Sequence, residues 1–186
     1  MRIYIGGIQG VGKDTLIDLV STSFQDLPVI HFAQRMKEIG SASSHDALLR
    51  GMDKETRKRL RNSVFEEIGR YDSCIVNGHY ALPIRSLHGE EILGFEMGIA
   101  DDYRTLFDNY LLIECSAEAV LERRGNDTSR ERGNNLFSVV LELGTEKLFF
   151  DYSARSSRYS KIFENDDLNA TAERIKTYLS ELRGES

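Results

Sequence analysis

The sequence predicts an α/β fold in which a five-stranded parallel sheet is covered by helices on both faces, giving three layers. Three observations predict it. A short apolar strand leads directly into a glycine-rich turn and a helix, further apolar strands alternate with helical segments, and those segments are long enough for right-handed crossovers. Because ligands bind at the carboxyl ends of the strands in such sheets, we expect the functional residues there.

Five short apolar runs are the predicted strands, because β-branched and aromatic residues fill them and polar or turn-forming residues bound them. The unbroken apolar content of the third run is typical of a strand that is buried on both faces of a sheet. In chain order, the predicted strands are residues 3–5, 28–32, 73–77, 110–115 and 161–164.

The helices are predicted from apolar residues that recur every three or four positions and from capping residues. Asp53 and Ser116 are suitable N-caps, and Gly69 and Gly184 end two of the helices. The longest helix is predicted to begin after Asn135. Its predicted apolar side carries Leu136, Val139, Val140, Leu143 and Phe150.

The composition predicts one soluble globular domain over residues 1–186, with 40% hydrophobic and 29% charged residues. Residues 82–98, which include Pro83, are predicted to be irregular structure rather than a linker. The formal net charge of -6 argues against a DNA-binding protein. No apolar run reaches the length of a membrane span, and no signal peptide is expected. Cys74 and Cys115 are predicted to be reduced thiols in buried strands, which favours a cytoplasmic location.

The turn after the first strand has the pattern of a phosphate-binding loop: Gly7, four residues, then Gly12 and Lys13. Glycines let the backbone approach an anion closely, and the N-terminus of the following helix attracts negative charge. Lys13 adds a charge that can reach the terminal phosphates of a nucleotide. The alternative is an ordinary glycine-rich turn between a strand and a helix. The predicted nucleotide-binding residues of the loop are Gly7, Gly10, Val11, Gly12, Lys13, Asp14 and Thr15.

Asp14 stands where this loop pattern normally has Ser or Thr, whose hydroxyl binds Mg²⁺. A carboxylate is also a hard oxygen ligand, so we expect Asp14 to be a metal ligand, with Thr15 as the alternative. Without the metal, the negative charge of Asp14 would be unfavourable beside phosphates.

A second informative stretch has four arginines in residues 123–132, in a polar loop between two predicted helices. Forked guanidinium groups suit the charge that develops on a transferring phosphoryl group, and a loop of this kind can close over a site. The alternative is a solvated basic loop in which neighbouring acidic residues pair with the arginines. We expect a lid at about 125–135.

Two further arginines, Arg35 and Arg50, lie beside predicted loops near the second strand and are candidates for binding the phosphate of a second substrate. For each, the alternative is an ordinary surface arginine. The basic residues between Lys54 and Arg61 are interpreted mainly as the solvated face of a helix.

The third predicted strand ends in Asn77, followed by Gly78 and His79. His79 is a candidate for substrate contact because of this position, although a packed or exposed histidine is more common. Asn77 stands where an acidic residue that supports Mg²⁺ is expected. His31 and His88 belong to no recognisable motif.

Together these residues resemble the nucleoside monophosphate kinases, and most closely the short archaeal-type adenylate kinases, over nearly the whole chain. The departures from the family pattern are Asp14 for Ser or Thr, Asn77 for Asp, and Gly133 for an acidic residue. The resemblance rests on residues 7–13, 48–60, 75–79 and 123–132.

The resemblance implies a P-loop NTPase fold with a monophosphate-side insertion at about 33–70. It implies transfer of the γ-phosphoryl group of ATP to a nucleoside monophosphate such as AMP, with Mg²⁺. Arg50 would meet the monophosphate, and Asn165 would lie near the adenine of ATP. The residues implied around the transferring group are Lys13, Arg123, Arg130 and Arg132.

Two alternatives to a nucleoside monophosphate kinase remain. One is a kinase for a deoxynucleotide or another small phosphorylated acceptor, because Asp after Gly-Lys occurs in some other small-molecule kinases. The other is a nucleotide-switched ATPase that acts in assembly. In that case the basic helix between Lys54 and Arg61 would bind an RNA or protein partner.

Overall fold

The computed structural model describes residues 1–42, 52–86, 91–126 and 135–184. No helix within these ranges is long and apolar enough to cross a membrane. The strands are β1 (Arg2–Gly6), β2 (Val29–His31), β3 (Cys74–Asn77), β4 (Ala81–Arg85), β5 (Ile92–Met97), β6 (Asn109–Glu114) and β7 (Tyr159–Glu164). The helices are α1 (Lys13–Ser21), α2 (Phe32–Ile39), α3 (Lys54–Ile68), α4 (Ala117–Asn126), α5 (Leu136–Ala154) and α6 (Leu168–Arg183), with a 3₁₀ helix at Asp101–Leu106.

Five of the strands form one parallel sheet in the order β2-β3-β1-β6-β7. The predicted α/β fold is therefore confirmed, and each of the five predicted strands overlaps an observed one. β1 lies at the centre, with β3 on one side and β6 on the other. The strand order thus reverses at β1, which opens a crevice at the carboxyl end of this strand.

The core lies on both faces of this sheet. Side chains of β1 alternate between the faces, so Ile3 and Ile5 pack with α1 and α6, while Tyr4 packs on the other face with α3 and α5. Phe65 and Phe150 are the large apolar side chains that α3 and α5 bury there. With both faces covered, the site has to form at the edge of the sheet.

The prediction of irregular structure at residues 82–98 was wrong. β4 and β5 form an antiparallel two-stranded sheet, in which Pro83 is paired with Phe95. A proline is tolerated because a two-stranded sheet has free edges on which a missing N–H breaks no ladder hydrogen bond. Tyr80 precedes β4, and its ring packs against Tyr4 and Phe150 at centroid distances of 5.2 and 5.3 Å.

The predicted apolar side of α5 was only partly right. Val139 and Phe150 are buried, but Leu136 and Val140 are 51% and 53% exposed. The helix instead turns two acidic side chains inward, Glu142 at 5% and Glu146 at 1% exposure. Burying a carboxylate is costly unless it receives hydrogen bonds. Partners far away in sequence therefore decide the orientation of α5, and the spacing of apolar residues does not show them.

Parts of two predicted segments lie outside the described residues. The monophosphate-side insertion at 33–70 includes α2 and α3, but residues 43–51 between them are not described. The lid at 125–135 is described only at its two ends, because residues 127–134 are outside the described ranges.

Candidate phosphate-binding site

The turn between β1 and α1 has the backbone geometry of an anion-binding loop. Gly10 and Gly12 have φ angles of 96° and 86°, a region that other residues rarely adopt. Gly12 is the N-cap of α1, so no side chain caps the first turn of this helix. Among the described residues, none accepts a hydrogen bond from the backbone N–H groups of Gly10, Gly12 or Lys13. These donors are therefore available to a bound anion.

Lys13 lies beside this loop with an almost fully buried side chain, 8% exposed. Its ammonium group donates a hydrogen bond to Oδ1 of Asn77, the last residue of β3. Nδ2 of Asn77 in turn donates to Oδ1 of Asp14 at 2.7 Å. Asn77 therefore joins the two charged side chains of the loop to the end of the neighbouring strand.

The charges in this network influence each other. Burial lowers the pKa of Lys13, although the carboxylates of Asp14 and Glu146 act in the opposite direction. For Asp14, burial alone would raise the pKa. The charge of Lys13 and the hydrogen bond from Asn77 outweigh it, so the pKa is lowered. Asp14 is consequently ionised at neutral pH, as a metal ligand must be.

Two histidines lie at the same edge of the sheet. His79, a predicted substrate residue, is close enough to Asp14 to lower its pKa, and its carbonyl accepts a hydrogen bond from the Tyr4 hydroxyl at 2.9 Å. His31, which sequence reasoning set aside, is at the end of β2, and its Nδ1 lies 2.9 Å from Nδ2 of Asn77. Its position near the end of the predicted strand 28–32 was the available signal.

Arg123 and Asn165 meet on the opposite side of the loop. Asn165 is fully buried, and its Nδ2 donates to the carbonyl of Val11 at 2.7 Å. Arg123 donates to the carbonyls of Gly10 and Asn165, both at 3.3 Å. Two of the predicted site residues therefore hold the loop by hydrogen bonds to its backbone carbonyls. Oδ1 of Asn165 is buried, and no hydrogen-bond partner for it is found in the described part of the chain.

The sequence predicted α5 but not the two buried glutamates through which this helix supports the loop. Glu146 of α5 accepts hydrogen bonds from the backbone N–H of Gly7 at 2.9 Å and from those of Tyr80 and Ala81 at 2.8 and 2.7 Å. One turn earlier, Glu142 forms a buried ion pair with Arg124 at 2.7 Å. Two Glu residues four positions apart in an apolar helix were the available signal.

Arg124 completes the connection between α5 and the loop. It is 3% exposed, and its Nε donates to the carbonyl of Gln9 at 3.0 Å. The phosphate-binding loop is thus held at Gly7 by one buried glutamate and at Gln9 by the other, through an arginine.

The structure does not bring Arg35 to this edge of the sheet. Its guanidinium binds Glu67 and Glu38, at 2.8 and 2.9 Å, in a surface pocket that Arg70 and Tyr71 also line. Tyr71 precedes β3, so this pocket is near the amino ends of the strands. Three other predicted site residues, Arg50, Arg130 and Arg132, lie outside the described residues.

The oxygen atoms at the mouth of the loop fit a magnesium ion that is held partly by phosphates and waters. They do not fit one that is held by protein ligands alone. Asp14 and Asn77 bring a carboxylate and an amide oxygen to the mouth of the loop. Within the described ranges, no group of three or more His, Cys, Asp or Glu residues is arranged to hold a metal. Mg²⁺ commonly uses one or two carboxylates with phosphate oxygens and waters, and Asp14 would be that carboxylate.

Comparisons with known proteins agree with this geometry. A curated adenylate kinase of Thermoplasma volcanium is 27% identical over 175 residues, which cover 90% of this chain and 92% of that protein. An adenylate kinase of Thermoplasma acidophilum is 26% identical over a similar span, 90% of this chain and 91% of that protein.

Among solved structures, a shikimate kinase from Bacteroides thetaiotaomicron superposes with a TM-score of 0.68 at 13% identity. The match covers 97% of this chain and 98% of that one. At this level of identity the likeness concerns the fold, which is that of the P-loop kinases. Residues 6–136 match the AAA_17 family, described as an AAA domain. Because this match covers more than half of the chain, the chain belongs to the AAA_17 family, and its fold and relatives place it among the P-loop kinases.

Proposed function

We propose that the protein is a nucleoside monophosphate kinase that transfers the γ-phosphoryl group of ATP to AMP and forms two ADP. The observation that carries the proposal is the position of Lys13. Its buried ammonium lies beside the N–H groups of the loop, which have no partner among the described residues, and is fixed by Asn77 at the end of β3. Adenylate kinase is also the activity named for the two Thermoplasma relatives.

Phosphoryl transfer depends mainly on positioning and on electrostatic stabilisation of the transferring group. The N–H groups of the loop and the helix dipole of α1 would hold the β- and γ-phosphates of ATP. Lys13 would exchange Asn77 for a phosphate oxygen and follow the charge as it moves. Bound Mg²⁺ would neutralise phosphate charge, with Asp14 as its protein ligand.

The remaining roles follow the family resemblance. Arg123, Arg130 and Arg132 would supply guanidinium groups around the transferring phosphoryl group, and Asn165 would lie on the adenine side of the loop. Arg50 and His79 would contact the acceptor. Arg35 would do so only after releasing Glu38 and Glu67, which makes it the weakest member of the predicted set.

A kinase for another small acceptor is the second candidate. It is favoured by Asp14 and Asn77, because both depart from the family pattern at the metal side of the site. Structural neighbours named as shikimate kinase and gluconokinase show that the fold accepts other substrates.

ADP production from ATP and Mg²⁺ should therefore be measured against a panel of ribo- and deoxynucleoside monophosphates, shikimate, gluconate and phosphorylated metabolites. The proposal expects AMP to give the highest kcat/KM. A preferred acceptor that is not a nucleotide would instead support a kinase for another small acceptor. ATP hydrolysis that no acceptor stimulates, together with RNA or protein retained in a pull-down, would favour an assembly ATPase.

A further inference from the structure

Glu146 links two parts of the site that belong to different substrates in the proposed reaction. Its Oε1 accepts hydrogen bonds from the N–H of Gly7, where the phosphate-binding loop begins, and from the N–H of Tyr80. Its Oε2 accepts from the N–H of Ala81, the first residue of β4. All three donors are backbone groups, so the carboxylate orients peptide planes rather than side chains.

Glu146 connects two segments that follow different strands. Gly7 follows β1, whereas Tyr80 and Ala81 follow His79 at the start of the β4–β5 hairpin. The Tyr80 hydroxyl reaches back to the carbonyls of Tyr4 and Leu111, at 3.2 and 2.9 Å. The side chain of Tyr80 thus fixes the hairpin to the sheet, and Glu146 fixes its backbone to the loop.

We propose that Glu146 is a positioning residue for phosphoryl transfer, which holds the phosphate-binding loop at Gly7 in register with the turn that carries His79. The proposal rests on the proposed kinase activity and adds a residue on α5, outside the motifs that indicate this activity. A carboxylate suits the task because it has acceptors only. An amide or a protonated carboxyl in its place would point a donor at one of the three N–H groups.

The surroundings of Glu146 make its protonation state matter near neutral pH. Burial raises its pKa to about 7, although the three N–H groups and the charge of Lys13 favour the carboxylate. Among the described residues, the hydroxyls of Tyr4 and Tyr80 are further titratable groups that interact with it. Both tyrosines are neutral in this range, because burial raises their pKa values. As pH falls below about 7, Glu146 therefore gains a proton, and the hydrogen bonds that it accepts weaken.

The kinetic test compares wild type with Glu146→Gln and with Asp151→Asn, an exposed acidic residue on the same helix. For ATP with AMP, kcat/KM of wild type should rise between pH 6 and pH 8. At pH 8, Glu146→Gln should lower kcat/KM by roughly 10-fold to 100-fold and should flatten the rise. Asp151→Asn should match wild type. Wild-type kinetics with an unchanged pH profile in Glu146→Gln would overturn the proposal, even if that variant were less stable.

A second measurement needs neither a variant nor a substrate. In wild type, the amide ¹⁵N and ¹H shifts of Gly7, Tyr80 and Ala81 should titrate together with a midpoint near pH 7. Three amides that do not share a midpoint would contradict the proposal, whatever the enzyme phosphorylates. If the amides titrate as expected but no acceptor is phosphorylated, the kinase assignment fails while the structural link stands.

Discussion

The side-chain amide of Asn77 accepts a hydrogen bond from the buried ammonium group of Lys13, across the gap between the phosphate-binding loop and β3. The same amide donates to Asp14 at 2.7 Å. In this arrangement the lysine is held close to the loop by a neutral hydrogen-bond partner, and the carboxylate of Asp14 lies 3.6 Å from its ammonium group. Lys13 therefore remains able to exchange that partner for a phosphate oxygen.

Replacing Asn77 should reduce catalysis more than stability. Asn77→Ala removes the acceptor that fixes Lys13, and a hydrogen bond to a charged group contributes about 1.5–3 kcal/mol. We expect kcat/KM for ATP to fall roughly 10-fold to 100-fold. Steady-state kinetics check this, with the exposed Asn169→Ala on α6 as the control. Equal kinetics in the two variants would show that Asn77 does not position Lys13.

Removing the carboxylate of Asp14 should weaken the response to Mg²⁺. Its pKa is lowered chiefly by the charge of Lys13 and the hydrogen bond from Asn77, which together outweigh the effect of burial, so the side chain is an anion at neutral pH. In Asp14→Ala, the Mg²⁺ concentration for half-maximal activity should rise roughly 10-fold or more. Asp18→Ala, on the exposed face of α1, is the matched control. An unchanged Mg²⁺ titration in Asp14→Ala would remove Asp14 from the metal site and leave Thr15 as the candidate.

The buried ion pair between Arg124 and Glu142 should stabilise the fold and the loop together. Breaking it on one side takes the oppositely charged partner away from the buried charge that remains, which costs about 3–5 kcal/mol. Arg124→Met and Glu142→Leu should each lower the free energy of unfolding by about this amount.

The double variant should lose much less than the sum of the two single losses, because it removes both buried charges of the pair. Denaturant unfolding of the four proteins checks the cycle. Additive losses would mean that the two side chains do not act as a pair. The double variant should still bind ADP more weakly than wild type, because the hydrogen bond from Arg124 to the carbonyl of Gln9 is lost.

Protonation of Glu146 should have opposite effects on stability and on activity. Burial raises its pKa in the folded protein from 4.5 to about 7, so between these values the native state binds more protons than the unfolded state. The free energy of unfolding must therefore fall as pH rises through this window. A shift of this size corresponds to about 3 kcal/mol. The difference between wild type and Glu146→Gln should move by up to about 3 kcal/mol in favour of Gln from pH 5 to pH 8. Urea unfolding at both pH values measures it, and a difference that does not depend on pH would contradict the raised pKa.

The sequence was sufficient for the loop and the sheet because both depend on local patterns. Gly10, Gly12 and Lys13 predict an anion-binding turn, and the short apolar runs predict buried parallel strands. The orientation of α5 was not predictable in this way. Its buried face is decided by Glu142 and Glu146, whose partners are Arg124, a backbone N–H of the loop and the start of β4.

The hairpin was missed for a related physical reason. Pro83 and the glycines of residues 82–98 are usually signs of irregular structure, yet the pairing of β4 with β5 tolerates them at free edges. The pairing of Arg35 with Glu38 and Glu67 was likewise not predicted from the sequence. Local sequence patterns do not show charge partners that lie far away in the chain.

The proposed phosphoryl transfer from ATP to AMP is tested most directly with [γ-³²P]ATP. The transfer of label to AMP, in the presence of Mg²⁺, is measured for wild type and for Lys13→Ala. Wild type should form labelled ADP. Lys13→Ala should lower kcat/KM by at least about 1,000-fold, because the charge that follows the transferring group is lost. Lys58→Ala, an exposed lysine on α3, should be unaffected. Near-normal label transfer by folded Lys13→Ala, or no transfer to AMP by wild type, would contradict the claim.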